Sequence, residues 1–194
     1  MLIKRLLARV VLFVLRYRVA SPPPEGVPVS VLVAAPHTSN WDFPLMLAMA
    51  WQCGISPRWL GKQEMFAGPF RPLLKALGGV PVDRDDPGSL VTDLVAHAGE
   101  SDSLALLIPA EGTRAKGQYW KSGFYRIACD ADIPIVLSYL DGPTRTGGFG
   151  PVIHPTGDVS ADMELVRAFY ADKGGVNPAN KTEPRFKDES PLTF

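Results

Sequence analysis

The sequence predicts a single α/β domain whose largely parallel or mixed sheet is flanked by helices. Three observations carry that expectation. From residue 29 onward, short apolar runs alternate with segments of helical periodicity, the pattern of strands joined by crossover helices. The apolar share of 46% and charged share of 21% are those of a chain able to fill a core, and 194 residues suit one such domain. Several chemistry-bearing side chains also follow directly on the strand-like runs, where ligands gather in an open α/β sheet.

The elements follow in order. Residues 1–20 read as an amphipathic basic helix. They hold Lys4, Arg5, Arg9, Arg16 and Arg18 with no acid, in a chain that balances 20 basic against 20 acidic side chains overall. Arg5, Arg9 and Arg16 fall within about 40° of one another on a helical wheel. The longest apolar run, Val10 to Leu15, is far short of the roughly 20 residues a membrane span needs. Arg16 and Arg18 also occupy the place where a signal peptide would be cleaved. Two readings stay open: a helix lying in the headgroup region of an anionic leaflet, or one docked on the domain's own core. The number of large apolar residues favours the interfacial reading.

Residues 21–28 read as a stiff proline-rich linker, starting with Ser21-Pro22-Pro23-Pro24. Within the body, residues 29–176, the expected strands are Val29–Ala35, Arg58–Gly61, Gly79–Val82, Leu104–Ile108 and Ile133–Leu140. The expected helices are Asp42–Gln52, Pro69–Leu77, one starting at Asp86-Pro87, Ser122–Asp130 and Asp162–Ala171. Gly147-Gly148-Phe149-Gly150 reads as a turn, and residues 177–194 as a polar, proline-broken, poorly packed tail. Cys53 and Cys129 match no metal or redox spacing, which suits free thiols in a reducing compartment.

The chemistry concentrates where the strands end. His37 and Asp42 follow Val29–Ala35, a base and a carboxylate able to orient it. Lys62 follows the strand at Trp59, and Arg84 follows Val80-Pro81-Val82. Glu111-Gly112-Thr113-Arg114 follows Leu104–Ile108. If these strands are parallel, a base, its carboxylate and three cations converge on one crevice, which suits a hydroxyl carried by an anionic molecule. Gly112 permits close backbone approach, Thr113 adds a hydroxyl, and Glu111 can orient Arg114 or position the acceptor. Plainer readings compete: Arg84 can pair with Asp85 or Asp86, Lys62 can be solvated, and Asp42 can also cap the helix it begins. No G-x-x-x-x-G-K-[ST] loop occurs, which disfavours nucleoside triphosphate chemistry, and nothing points to nucleic acid.

Four segments carry a resemblance. His37-Thr-Ser-Asn-Trp-Asp42 resembles the H-x-x-x-x-D block of the glycerolipid acyltransferase superfamily, the lysophosphatidic-acid acyltransferase-like enzymes. Gly79-Val-Pro-Val-Asp-Arg84 is similar to its second block, Glu111-Gly-Thr-Arg114 to the core of the F-P-E-G-T-R block, and Ile133-Pro-Ile-Val-Leu137 to the fourth. Order and spacing agree over roughly residues 29–140. Trp120-Lys121-Ser122-Gly123-Phe124-Tyr125 looks like short bacterial members. Pro109-Ala110 departs from the usual Phe-Pro before the glutamate, and Pro36 stands where asparagine is frequent.

The resemblance implies an O-acyltransferase that moves a fatty acyl group from acyl coenzyme A or acyl carrier protein to a hydroxyl of a lysophospholipid-like acceptor. His37 would be the general base oriented by Asp42. Lys62, Arg84, Glu111, Gly112, Thr113 and Arg114 would bind substrate. Neither metal nor cofactor is required beyond the acyl thioester co-substrate. The enzyme would be peripheral, on the cytoplasmic side of the cell membrane, touching lipid through residues 1–20. Two alternatives remain: an acyl-thioesterase or lipid hydrolase that uses water, and a non-enzymatic lipid-binding module.

Overall fold

The computed structural model describes residues 2–82 and 103–192; Arg84, His97 and the helix expected from Asp86 lie outside the described residues. The elements in chain order are α1 (Leu2–Leu15), β1 (Arg18–Ser21), β2 (Val29–Ala35), α2 (Asp42–Gln52), β3 (Arg58–Lys62), α3 (Arg71–Ala76), β4 (Gly79–Val82) and β5 (Leu104–Ile108). They continue with α4 (Gly123–Asp130), β6 (Ile135–Asp141), β7 (Thr146–Ile153) and α5 (Val159–Tyr170). Among the described residues, seven strands make one sheet in the order β1-β7-β6-β2-β5-β3-β4. All neighbours are parallel except β6 and β7. The chain is therefore one α/β domain with a mixed, largely parallel sheet, as the alternation predicts.

The central strands are largely apolar because both faces of the sheet are covered. Val31, Val33 and Ala35 of β2 face a core shared with α4, α5 and Phe186. Leu32 and Ala34 face the opposite core, which α1 and α2 close. Because β2, β3, β4, β5 and β6 run parallel, their carboxyl ends share one edge, and the loops leaving that edge hold the chemistry.

Three stretches differ from the expectation. First, residues 18–21 are a strand at the sheet edge rather than the end of a helix and the start of a linker. Arg16 takes a left-handed backbone (φ 58), and Tyr17 N–H donates to Leu12 O (2.9 Å) while Arg16 N–H donates to Phe13 O (3.1 Å). That pair of bonds is a Schellman stop, so the helix ends and the chain drops onto β7.

Second, Gly147–Gly150 lies inside β7 rather than in a turn; the turn is Gly142–Arg145, closed by Arg145 N–H to Gly142 O (3.2 Å). Glycine serves close approach here. A Cβ on Gly147 would lie 2.4 Å from Met49 Sδ and 2.7 Å from the carbonyl oxygen of Tyr139. Such packing removes the alternating side chains by which a strand is recognised.

Third, the tail is packed. Thr182 and Phe186 are buried, Phe186 meets the rings of Phe124 and Tyr125 edge-on, and Glu189 pairs with Arg167 (3.1 Å).

Helix α1 uses two faces. Ala8 and Leu12 are buried in the core closed by α2, and Lys4 lies 5.5 Å over the Trp51 ring. The opposite face leaves Leu2, Ile3, Leu6, Val10, Phe13 and Val14 in solvent, Phe13 at 85% exposure. No helix among the described residues is long and apolar enough to cross a membrane.

Candidate active site

His37 leaves the end of β2 two residues after the strand, past a cis Ala35–Pro36 peptide. Its Nδ1 lies 3.1 Å from Asp42 Oδ2. The same oxygen accepts the amide protons of Thr38 (2.5 Å) and Ser39 (2.8 Å). Asp42 is the first residue of α2 and is 2% exposed. A carboxylate is favoured at that end of a helix by the peptide dipoles. The expectation that Asp42 also caps α2 is corrected: its side chain bonds back to the loop before the helix, and no cap hydrogen bond forms. With Nδ1 against a carboxylate, the imidazole proton belongs on Nδ1 and the lone pair on Nε2, the arrangement of a general base.

His37 lines a cleft of about 470 Å³ between α2 and β3. Ala34, Phe43, Met46, Trp59, Met65 and Leu107 make its walls apolar, and Lys62 and Arg114 line it too. The ring of Trp59 is fixed by an edge contact with Phe43 (4.9 Å between centroids) and by Nε1–H donating to Leu77 O (3.1 Å). The parallel sheet thus brings His37, Asp42, Lys62 and Arg114 to one opening. Gly112 (φ 68) and Thr113 lie exposed in the loop that carries Arg114, and the Thr113 hydroxyl accepts from Ala115 N–H (3.3 Å). Arg84 lies outside the described residues. Asn40, which the sequence reading passed over, lines the cleft as well, whereas Trp41 is 58% exposed and faces a separate hollow beside Tyr17 and Arg145.

Glu111 is the main correction. It neither orients Arg114 nor reaches the cleft. It is 2% exposed; one carboxylate oxygen accepts the backbone N–H of His37 and the other accepts that of Thr182 (3.0 Å). Burial pushes its pKa up from 4.5 to about 7, against the opposing pull of those two amides and the His37 ring; Asp42 adds to the rise. Its partner Thr182 was missed because a proline-rich tail looks unstructured. The signal was the alternation Thr182, Pro184, Phe186, buried at every second residue with Glu183 and Arg185 exposed between them.

The fold and the site define a class: an α/β domain in which a carboxylate-held histidine opens on a largely apolar cleft that Lys62 and Arg114 also line. The comparisons specify it. The family model described as Acyltransferase matches residues 22–139, and the chain belongs to that family, as the four blocks implied. The fold is also similar to that of the 1-acyl-sn-glycerophosphate (LPA) acyltransferase PlsC from Thermotoga maritima, with a TM-score of 0.64 and 15% sequence identity over 87% of this chain and 77% of that one. No curated protein matches the chain in sequence. The protein is an acyltransferase.

The raised Glu111 pKa gives a signed expectation. Folding favours the protonated carboxyl, so its contribution to stability is full below pH 4.5 and is lost as pH rises through about 7. Glu111→Gln mimics the protonated group at every pH and cannot accept from both amides, which adds a constant offset. In urea unfolding from pH 4.5 to just above 7, wild type loses stability relative to the glutamine variant. A pH-independent difference contradicts the assignment.

Proposed function

We propose that this acyltransferase moves a fatty acyl group from an acyl thioester, on coenzyme A or acyl carrier protein, to a hydroxyl of an anionic lysophospholipid-like acceptor at a membrane surface. The observation that carries this reading is the 3.1 Å His37–Asp42 contact in the lining of a largely apolar cleft that Lys62 and Arg114 also line. The acceptor class is supported by the likeness in fold to the LPA acyltransferase, and by cations placed where an anionic headgroup would lie.

In this reading the acyl chain lies along the apolar walls, and Arg114 and Lys62, joined by Arg84, hold the acceptor anion. As the acceptor oxygen attacks the thioester carbonyl, Nε2 of His37 takes its proton. Asp42, already bonded to Nδ1–H, stabilises the imidazolium. The tetrahedral intermediate then expels the thiolate, which takes that proton from His37, leaving ester, thiol and neutral imidazole. The reaction needs no acyl-enzyme.

His37→Ala lowers turnover of acyl coenzyme A with a lysophospholipid acceptor by at least about a thousandfold, while Arg114→Ala chiefly raises the acceptor KM, by about tenfold or more. The assay follows the acylated lipid directly. Unchanged transfer by His37→Ala sinks the reading, and wild-type release of coenzyme A that needs no acceptor replaces it with a hydrolase.

Membrane contact is proposed through the outer face of α1. Leu6 and Phe13 are 63% and 85% exposed, and Arg5 and Arg9 are exposed cations on the same helix. Burying each large side chain is worth roughly 1.5–3 kcal/mol. The double variant Leu6→Ser, Phe13→Ser is expected to lose at least about a hundredfold in partitioning to anionic vesicles while keeping its melting temperature. Equal flotation of variant and wild type contradicts the membrane role of this face.

A further inference from the structure

The C-terminal segment bonds to the catalytic loop through residues that do not line the cleft. Asn177 N–H donates to Thr38 Oγ1 (2.9 Å), and Asn180 Nδ2 donates to the carbonyl oxygen of Thr38 (3.2 Å). Thr182 N–H reaches Glu111, whose other oxygen takes the N–H of His37. The segment is itself pinned: Trp120 Nε1–H donates to Thr182 O (3.0 Å), and Gly117 N–H to Thr182 Oγ1 (2.8 Å). Lys181 Nζ closes on Tyr170 O (2.6 Å) at the end of α5. Gly175, at φ 70, packs where a Cβ would come within 2.8 Å of Thr38. His37 and Thr38 are thus held by two sets of bonds, one to Asp42 and one to the tail, directly and through Glu111. None of Asn177, Asn180 and Thr182 lines the cleft.

We infer that residues 175–182 are a strap that positions the catalytic histidine, with Asn180 and the Thr38 hydroxyl as its positioning groups and Glu111 as its bridge. The strap acts on His37 only through the loop backbone. Fixing that backbone fixes the direction in which Nε2 points, and misplacement of a reacting group by about 1 Å can cost roughly a hundredfold in rate. A loop held only by Asp42 could pivot about that carboxylate, and the tail bonds remove the pivot. The inference rests on His37 being the base.

Deleting the tail would remove Phe186 and expose the aromatic core it packs against, so point variants of the full chain are the test. Asn180→Ala removes one donor, and Thr38→Val removes the hydroxyl acceptor at nearly constant volume. Thr38→Ser keeps the hydroxyl as the conservative control. Two quantities are read: kcat and KM for acyl transfer, and the low-field proton resonance of His37 Nδ1–H against Asp42, which needs no turnover. The expected result is a kcat lowered about tenfold in Asn180→Ala and Thr38→Val, with KM within about twofold and the resonance broadened by faster exchange. Thr38→Ser keeps both near wild type.

The strap is overturned if folded Asn180→Ala and Thr38→Val keep both kcat and the resonance, or if Thr38→Ser loses as much as Thr38→Val. Failure of the functional reading looks different. In that case His37→Ala retains transfer, whatever the resonance does in the strap variants.

Discussion

One oxygen organises the site. Asp42 Oδ2 accepts from His37 Nδ1 and from the amides of Thr38 and Ser39, three contacts that wind the loop around a carboxylate at the start of α2. A charge this deeply buried is tolerated only with such partners. The partners in turn give the loop its shape. Strand β2 delivers the histidine to the sheet edge, α2 delivers the carboxylate, and the helix dipoles favour its negative charge there. The apolar cleft follows from the same placement, since Phe43 and Met46 on the first turns of α2 are its walls.

A second carboxylate, Glu111, lies beneath the loop and serves a different purpose. Asp42 holds the ring of His37, while Glu111 holds its backbone and ties it to the tail. Their environments separate the two. Burial dominates at Glu111 and raises its pKa to about 7. The E-G-T-R block therefore divides by depth: its glutamate is structural and buried, and its arginine reaches the cleft.

Much of this was legible in the sequence because it rests on local patterns. Val29–Ala35 and Asp42–Gln52 appear with the limits that periodicity and the acidic helix start assign them, and the convergence of His37, Lys62 and Arg114 follows from parallel strands. What escaped depends on distant partners. The glycines of β7 mark contacts with Met49, Tyr139 and Ser21 rather than a turn. Helix α1 docks one face on the core, as the second of its two readings has it, and leaves the other face apolar in solvent. The role of Glu111 departs from the expectation because its partner Thr182 lies 71 residues away, in a stretch whose prolines disguise an alternating pattern.

The central claim is that the carboxylate-held imidazole performs the acyl transfer. Its most direct test is the steady-state rate of Asp42→Asn, which keeps the side-chain volume but presents an amide to Nδ1 and favours the wrong tautomer. The account predicts a kcat lower by about a thousandfold or more, with KM for donor and acceptor within a few-fold of wild type. A folded Asp42→Asn enzyme that turns over at the wild-type rate would contradict it.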